Sequence, residues 1–155
     1  AKALLHIQEP ITVIAIGKRT PYAETVEDFL RKNHLENRMR LLSNIPFKEL
    51  PAFYQIATTF VYPSFFEGFG IPLLEALNSG VPAIGATGSC LEEAGGPHSI
   101  YIHPEDDKGL AKAIEQTLTD QSLRERMIKE GKKYALLFEE EKLTKDLLNV
   151  YRKTI

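Results

Sequence analysis

The stretch "FFEGFGIPLLEALNSGVP", residues Phe65–Pro82, predicts a junction between a strand and a helix around which the rest of the fold is arranged. The preceding run "TTFVYPS" is rich in β-branched and aromatic residues, which indicates a strand that is stopped by Pro63. Pro72 suits the first turn of a helix, and Gly80 suits its end. Gly68 and Gly70 predict a turn between the two elements, because glycine adopts positive φ without strain.

The alternation of strand and helix patterns extends along the whole chain. "ITVIAIG" (Ile11–Gly17) is typical of a parallel strand covered on both faces, and "RMRLLSNI", "VPAIGA" and "SIYIHP" predict further strands. Helical patterns lie between them, fill the chain from Glu105 onward, and begin with "AKALLHIQE", which resembles the end of an amphipathic helix. This order predicts a Rossmann-like three-layer α/β/α domain with an open parallel sheet.

Composition excludes several classes of protein. The 155 residues suffice for one domain, and the 43% hydrophobic and 26% charged content is that of a folded chain. A net charge of -2 gives no bulk attraction to nucleic acid or to an anionic membrane. The single cysteine, Cys90, excludes an internal disulfide framework and favours a reducing cytoplasm. No apolar run approaches the ~20 residues of a transmembrane helix.

The predicted junction also has the chemistry of a ligand site. Ligands of open α/β sheets bind beyond the carboxyl ends of the strands, where "PSFFEGFG" lies. Free N–H groups at a helix start near Ile71 favour phosphate. Glu67 precedes the glycines and Glu75 lies about one turn into the helix. The pattern suits a ligand with a central diphosphate and hydroxyls at both ends, with the sugar at Glu67 and a ribose at Glu75.

Other interpretations of these residues remain open at this point. Glu67 could be an exposed turn residue, and Glu75 an acid placed for the helix dipole. The two could also form a glycosidase pair, which needs carboxylates about 5–9.5 Å apart, but that use does not explain the phosphate-ready helix start. Cys90 with His98 and His103 could form a thiol–imidazole site, although their spacing does not favour one.

The junction also resembles a known family. Glu67 and Glu75 have the Glu-x7-Glu spacing inside "PSFFEGFGIPLLEALNSGVPAIG", and "LEEAGG…YIHPEDDKGLAKAI" continues the pattern. Together they closely resemble the C-terminal donor-binding domain of retaining GT-B glycosyltransferases of family 4, the glycosyl transferases group 1. The resemblance implies one half of a GT-B architecture and transfer of a mannose-, glucose- or GlcNAc-like hexosyl group. The donor would be a UDP- or GDP-hexose, and the acceptor a glycan, a lipid or another molecule. The alternative is a stand-alone nucleotide-binding or regulatory α/β module without transfer chemistry.

The resemblance also implies roles for individual residues. Glu67, the candidate catalytic residue, would contact hydroxyls of the donor sugar, and Glu75 would hold the ribose. The predicted donor-binding residues are Glu67, Gly68, Phe69, Gly70, Ile71 and Glu75, and the predicted base region is Gly17, Lys18, Ser43, Asn44 and Ile45. No metal or other cofactor is implied, because the family stabilises the diphosphate leaving group with a helix dipole and basic side chains.

One departure from the family concerns positive charge. The family carries an Arg and a Lys in a "GR…K" segment after its first strand, and this segment is absent here; Lys18 and Arg19 follow the next strand instead. The sequence therefore predicts that residues 1–155 are an N-terminally truncated donor domain, inactive alone, whose acceptor binds through a missing N-terminal domain. For the full-length protein it predicts a cytoplasmic location, with peripheral association at the inner face of the membrane left open.

Overall fold

A computed structural model describes residues 1–154. Their order of elements confirms the predicted alternation of strands and helices. The strands are β1 (Val13–Ile16), β2 (Met39–Leu42), β3 (Phe60–Tyr62), β4 (Ala83–Ala86) and β5 (Ile100–Ile102). The α-helices are α1 (Tyr22–Lys32), α2 (Leu50–Ile56), α3 (Ile71–Asn78), α4 (Leu91–Gly95), α5 (Asp107–Thr119), α6 (Gln121–Ala135) and α7 (Glu140–Thr154). Short 3₁₀ turns cover Lys2–Leu5, Phe47–Glu49 and Leu136–Phe138.

All pairing between the described strands is parallel, as predicted, but it forms two sheets. β1 pairs with β2 through the register Val13 to Met39, and β4 lies between β3 and β5. Within residues 1–154, β1 and β3 are not paired with each other. Val13 and Val61 nevertheless pack against one hydrophobic cluster, so both sheets rest on a common core. The fold is therefore Rossmann-like, with open parallel sheets.

Strand β4 lies at the centre of the three layers. All four of its residues are buried, because strands flank both edges and helices cover both faces. Ile84 belongs to the cluster that contains Ala111 and Ile114 of α5. Ala83 belongs to a second cluster with Leu73 and other residues of α3 and α4. The second cluster places α3, the helix of the predicted site, directly against the central strand.

The prediction that both faces of the first strand are covered was wrong for the described chain. Val13 packs against the core, but Ile14 and Ile16 on the opposite face remain 42% and 38% exposed. Alternate residues of a strand point to opposite faces, so the described elements cover only one of them. A continuous β-branched run is compatible with two buried faces but does not supply the elements that bury them.

The N-terminal segment also differs from its prediction. It forms a 3₁₀ turn with hydrogen bonds from residue i to i−3, such as Leu4 N to Ala1 O at 3.0 Å, in place of the end of an α-helix. Leu4 and Ile7 are buried in the core. The Arg38 guanidinium donates to the carbonyl oxygens of Leu4, Ile7 and Glu9, which ties the segment to the start of β2.

The C-terminal third is helical, as predicted. Asp106 and Asp120 cap α5 and α6 by accepting hydrogen bonds from Gly109 N and Leu123 N. Phe138, in the 3₁₀ turn after α6, packs on Tyr134 with ring centroids 5.5 Å apart. No helix within residues 1–154 combines the length and apolar character needed to cross a bilayer.

Candidate functional site

The turn between β3 and α3 is fixed by Gly70. This residue has φ of 108°, and a β-carbon on it would lie 2.6 Å from Cδ2 of Leu91 and 3.1 Å from Cβ of Ala94. Only glycine therefore fits, both for its backbone conformation and for its contact with α4. Gly68 differs from the prediction: its φ is not positive, and a β-carbon there would meet nothing within 4 Å. The space beside Gly68 is open.

Four successive backbone amides lie at this turn, where α3 begins. Within residues 1–154, the N–H groups of Gly68, Phe69, Gly70 and Ile71 donate to no acceptor. Further along the junction, Leu73 N donates a backbone hydrogen bond to Gly70 O at 2.9 Å. Unpaired amides at the start of a helix, together with its dipole, form a binding site for an anion. The structure thus brings together the amides that the sequence predicted for phosphate.

Glu67 is held by a tyrosine from the adjacent strand. Tyr62, the last residue of β3, donates its phenolic O–H to Oε1 of Glu67 at 2.8 Å. Burial and this hydrogen bond raise the pKa of Tyr62 to about 12. The Cys90 thiol donates to the carbonyl oxygen of Glu67 at 3.2 Å. Side chain and backbone of Glu67 are therefore both fixed, which is unlike an ordinary exposed turn residue.

Glu75 is held in a matching way by a tyrosine of another element. It lies at the fifth residue of α3, as predicted, and its Oε2 accepts a hydrogen bond from the phenol of Tyr54 at 2.8 Å. Tyr54 belongs to α2, and burial followed by the bond to Glu75 raises the pKa of its phenol. In the described chain neither Glu67 nor Glu75 takes part in an ion pair.

An aromatic row connects the two tyrosines. Phe60 of β3 lies between them, with its ring centroid 5.3 Å from that of Tyr54 and 6.0 Å from that of Tyr62. Its plane is tilted by 55° to the first ring and stacked at 18° on the second. The two tyrosines that hold the glutamates therefore both pack against Phe60.

The phenylalanines of the turn have separate environments. Phe69 packs on Phe138 with ring centroids 5.6 Å apart, so the turn contacts the segment after α6. Phe65 and Phe66 are 67% and 88% exposed, so neither side chain belongs to the core. They follow Pro63 and Ser64 in the loop, which runs over the surface before the turn.

The predicted base region lies at the carboxyl ends of β1 and β2. Gly17 N donates to Leu42 O at 3.1 Å, which places the Gly17–Lys18 loop beside the Ser43–Asn44–Ile45 loop. Asn44 adopts φ of 60°, a conformation that asparagine tolerates better than most residues. Contact of these two loops with a base stays a prediction. Arg19 forms a two-bond pair with Glu27 of α1, at 2.7 and 2.9 Å, and so is engaged away from the turn.

The thiol–imidazole interpretation gains no support. In the described chain, Cys90 bonds to the Glu67 carbonyl and forms no hydrogen bond with His98 or His103. Nor do residues 1–154 contain a group of three or more His, Cys, Asp or Glu side chains arranged to bind a metal ion. Independence from metal stays a prediction.

Sequence reasoning did not identify Tyr54 and Tyr62 as site residues. For Tyr62 a signal existed, because a tyrosine at the carboxyl end of a strand lies at the ligand edge of the sheet. For Tyr54 no local signal existed, since its contact with Glu75 spans 21 residues. The Glu92 carboxylate accepts from Thr87 Oγ1 at 2.5 Å and from Gly88 N at 3.1 Å, and these bonds lower its pKa and fix the loop after β4.

Comparison with known proteins shows the family of the chain. The family model described as Glycosyl transferases group 1 matches residues 1–134. The O-antigen chain mannosyltransferase B of Escherichia coli is 38% identical over 140 residues, which cover 90% of this chain and 37% of that protein. The chain therefore spans well under half the length of this relative.

Two solved structures share the fold. Sucrose-phosphate synthase from Thermosynechococcus elongatus superposes with a TM-score of 0.84 at 25% identity, covering 98% of this chain and 40% of that one. HepE of Anabaena, solved in complex with UDP and glucose, superposes with a TM-score of 0.87 at 18% identity. The match covers 97% of this chain and 43% of that one. With the family model matching most of its length, the chain belongs to the glycosyl transferases group 1 family and has the α/β fold of GT-B glycosyltransferases.

Proposed function

We propose that residues 1–155 form the donor-binding domain of a retaining glycosyltransferase that moves a hexosyl group from a nucleotide diphosphate sugar to a glycan, a lipid or another acceptor. One observation carries the proposal: the unpaired amides from Gly68 to Ile71 lie along the chain between Glu67 and Glu75, and each of these carboxylates is held by its own tyrosine. The amides suit a diphosphate, and carboxylates suit hydroxyls.

The proposed arrangement follows from what each group can bind. Carboxylates accept hydrogen bonds from vicinal hydroxyls but repel phosphate, so the phosphates must meet the N–H groups. The sugar then lies at Glu67 and the ribose at Glu75, on either side of the diphosphate. The base lies toward the loops after β1 and β2, at Gly17–Lys18 and Ser43–Ile45, because these end at the carboxyl edge of the neighbouring sheet.

In the proposed reaction, the bond between the sugar's anomeric carbon and the phosphate oxygen breaks. A new bond forms from that carbon to the acceptor's hydroxyl oxygen on the same face, and the hydroxyl proton passes to the diphosphate. The amides at the start of α3 stabilise the charge that develops on the leaving diphosphate, without a metal ion. Glu67 fixes the sugar, and is the residue of this chain proposed to contact the reacting ring.

The relatives favour a hexose and, more narrowly, mannose. The Escherichia coli relative is a mannosyltransferase of the O-antigen chain, and HepE was solved with UDP and glucose. We therefore propose a UDP- or GDP-hexose as donor and polysaccharide synthesis in the cytoplasm as the setting. The acceptor site, and the basic groups that complete the diphosphate site, belong to parts of the full-length protein outside residues 1–155. Accordingly, we expect this chain alone to be inactive.

The decisive experiment uses the full-length protein. Glu67→Gln and Glu75→Gln keep the size of each side chain but remove its charge, and calorimetry with a panel of UDP-, GDP- and ADP-sugars measures donor binding. We expect both variants to lose transfer activity, with Glu75→Gln also losing affinity for the nucleotide. Glu36→Gln is the matched control, because Glu36 is exposed in the loop between α1 and β2. This loop precedes the amino end of β2, whereas the proposed site lies at the carboxyl ends of the strands.

Two results would contradict the proposal. One is the absence of binding for every nucleotide sugar. The other is full activity in Glu67→Gln and Glu75→Gln. Nucleotide binding that depends on Glu75, without any sugar transfer, would favour the alternative of a nucleotide-binding or regulatory module.

A further inference from the structure

Within residues 1–154, Glu67 and Glu75 are the two acids whose carboxylates accept a hydrogen bond from a tyrosine. Each accepts through one carboxylate oxygen: Oε1 of Glu67 accepts from Tyr62 and Oε2 of Glu75 accepts from Tyr54, both at 2.8 Å. Each carboxylate therefore keeps its second oxygen for another partner. Glu67 directly precedes the unpaired amides in the chain, and Glu75 lies in the helix that they begin, so both second oxygens belong to the junction at which we propose that the donor binds.

A phenol suits this role because it donates one hydrogen bond and stays neutral. Burial and the bonded carboxylate raise the pKa of both Tyr54 and Tyr62, so both remain protonated donors across the pH range in which enzymes work. An Arg or Lys in the same place would neutralise the acid and compete for both oxygens. The tyrosine fixes the direction of the carboxylate and leaves it free to accept from a hydroxyl.

The two phenols are themselves fixed by packing. Phe60 separates their rings, at 5.3 Å from Tyr54 and 6.0 Å from Tyr62, and both Phe60 and Tyr62 belong to β3. Tyr54 comes from α2, so this row also joins α2 to the sheet. Side chains locked by such packing can hold a binding group within the tolerance that a reaction requires.

We propose that Tyr54 and Tyr62 are positioning residues with separate tasks, Tyr54 orienting Glu75 toward the nucleotide and Tyr62 orienting Glu67 toward the transferred sugar. The inference rests on the proposed function and deepens it. It assigns two residues that act through the glutamates and not on the donor directly. Their separate tasks follow because each phenol contacts one glutamate.

The test uses Tyr54→Phe and Tyr62→Phe in the full-length protein, since phenylalanine keeps the ring and removes only the hydroxyl. Calorimetry measures the Kd of the nucleoside diphosphate alone (UDP and GDP), and steady-state kinetics measure kcat and KM for the nucleotide sugar. We expect Tyr54→Phe to weaken nucleoside diphosphate binding on the order of tenfold. We expect Tyr62→Phe to leave that Kd unchanged and to lower kcat/KM for the nucleotide sugar on the order of tenfold.

A matched control separates positioning from stability. Tyr134→Phe also removes one phenolic hydrogen bond, from Tyr134 to the carbonyl oxygen of Glu93 at 2.6 Å, but touches neither glutamate. We expect it to change the Tm without changing either constant. In addition, Tyr54→Phe should have no further effect on Kd in a Glu75→Gln background, and Tyr62→Phe none on kcat/KM in a Glu67→Gln background.

The outcomes distinguish the two proposals. If the glutamate variants lose activity but the tyrosine variants behave like Tyr134→Phe, the positioning role is overturned and the proposed function stands. Equal effects of both tyrosine variants on the nucleoside diphosphate Kd would overturn the separate tasks. If the glutamate variants remain active, the proposed function and the positioning role fall together.

Discussion

A β-carbon on Gly70 would lie 2.6 Å from Cδ2 of Leu91, so the turn before α3 has no room for any other residue. Gly70→Ala must also adopt φ of 108°, which strains a residue with a side chain. We expect a loss of about 2–4 kcal/mol in the free energy of unfolding, from conformational strain and overpacking together. Urea unfolding of the full-length protein measures it; a change below about 0.5 kcal/mol would contradict this packing.

Gly68→Ala is the matched substitution two residues earlier, and we expect it to leave the free energy of unfolding almost unchanged. Its added methyl meets nothing within 4 Å, and its φ is not positive, so stability should change by less than about 0.5 kcal/mol. The methyl nevertheless enters the open space beside the unpaired amides, and we expect it to weaken nucleotide-sugar binding in calorimetry. Unchanged donor affinity would show that the donor does not approach this part of the turn.

The contrast between these glycines shows what sequence could and could not predict. Local signals were sufficient for the strand, the turn and the helix: Pro72 lies in the first turn of α3, and Gly80 follows its end with φ of 75°. Which glycine needs positive φ depends on the approach of Leu91 from α4. That is a tertiary contact, and no pattern within the turn encodes it.

The same distinction applies to the site and to the first strand. The spacing of Glu67 and Glu75 was visible, but the Tyr54–Glu75 bond joins α2 to α3 and depends on how the two helices pack. Burial of β1 could not be predicted either. The run Ile11–Gly17 fits a strand with two covered faces, whereas coverage of Ile14 and Ile16 depends on elements elsewhere in the protein.

Alkaline pH should weaken the fold through Tyr62. Its folded pKa, raised by burial and by Glu67 to about 12, exceeds the ordinary value of 10.0, so the unfolded chain loses this proton first as pH rises. The stabilisation is complete below pH 10.0 and is lost as pH rises through about 12. The pKa of Tyr54 is also raised, so its phenol adds to the loss of stability at alkaline pH.

A double variant tests this expectation. Tyr54→Phe/Tyr62→Phe removes both phenols and should show a shallower fall in Tm between pH 9.5 and about 12 than the unmodified protein does. Parallel falls in the two proteins would mean that these phenols do not couple to folding. Over the same series, the transfer rate of the unmodified protein below pH 9 should show no step from either tyrosine.

Cys90 offers a probe of occupancy at the site. Its half-buried thiol contacts the carbonyl oxygen of Glu67 at 3.2 Å. A donor bound at Glu67 should cover this thiol, so saturating nucleotide sugar should slow its alkylation by iodoacetamide severalfold, as followed by mass spectrometry of the Cys90 peptide. The nucleoside diphosphate alone should protect less, because it leaves the sugar position empty. Equal alkylation with and without nucleotide sugar would place the sugar away from Glu67.

The unpaired strand edges lead to a prediction about the full-length protein. Val13 N and Gly17 N donate toward β2, so by alternation the N–H groups of Ile14 and Ile16 point toward the opposite edge of β1. Phe60 N donates toward β4, which directs Val61 N to the free edge of β3. Because β1 and β3 rest on one core, a strand from outside residues 1–155 can pair with both and join the two sheets.

Hydrogen exchange of the full-length protein tests this pairing amide by amide. If the additional strand is present, the amides of Ile14, Ile16 and Val61 exchange as slowly as those of Val13 and Phe60, which are paired within the described chain. If the edges stay open, Ile14 and Ile16 exchange at rates of exposed amides while Val13 remains protected. Val13 and Ile14 lie in the same strand, so global unfolding would expose both amides equally. A difference between their exchange rates therefore reports pairing and not a general loss of stability.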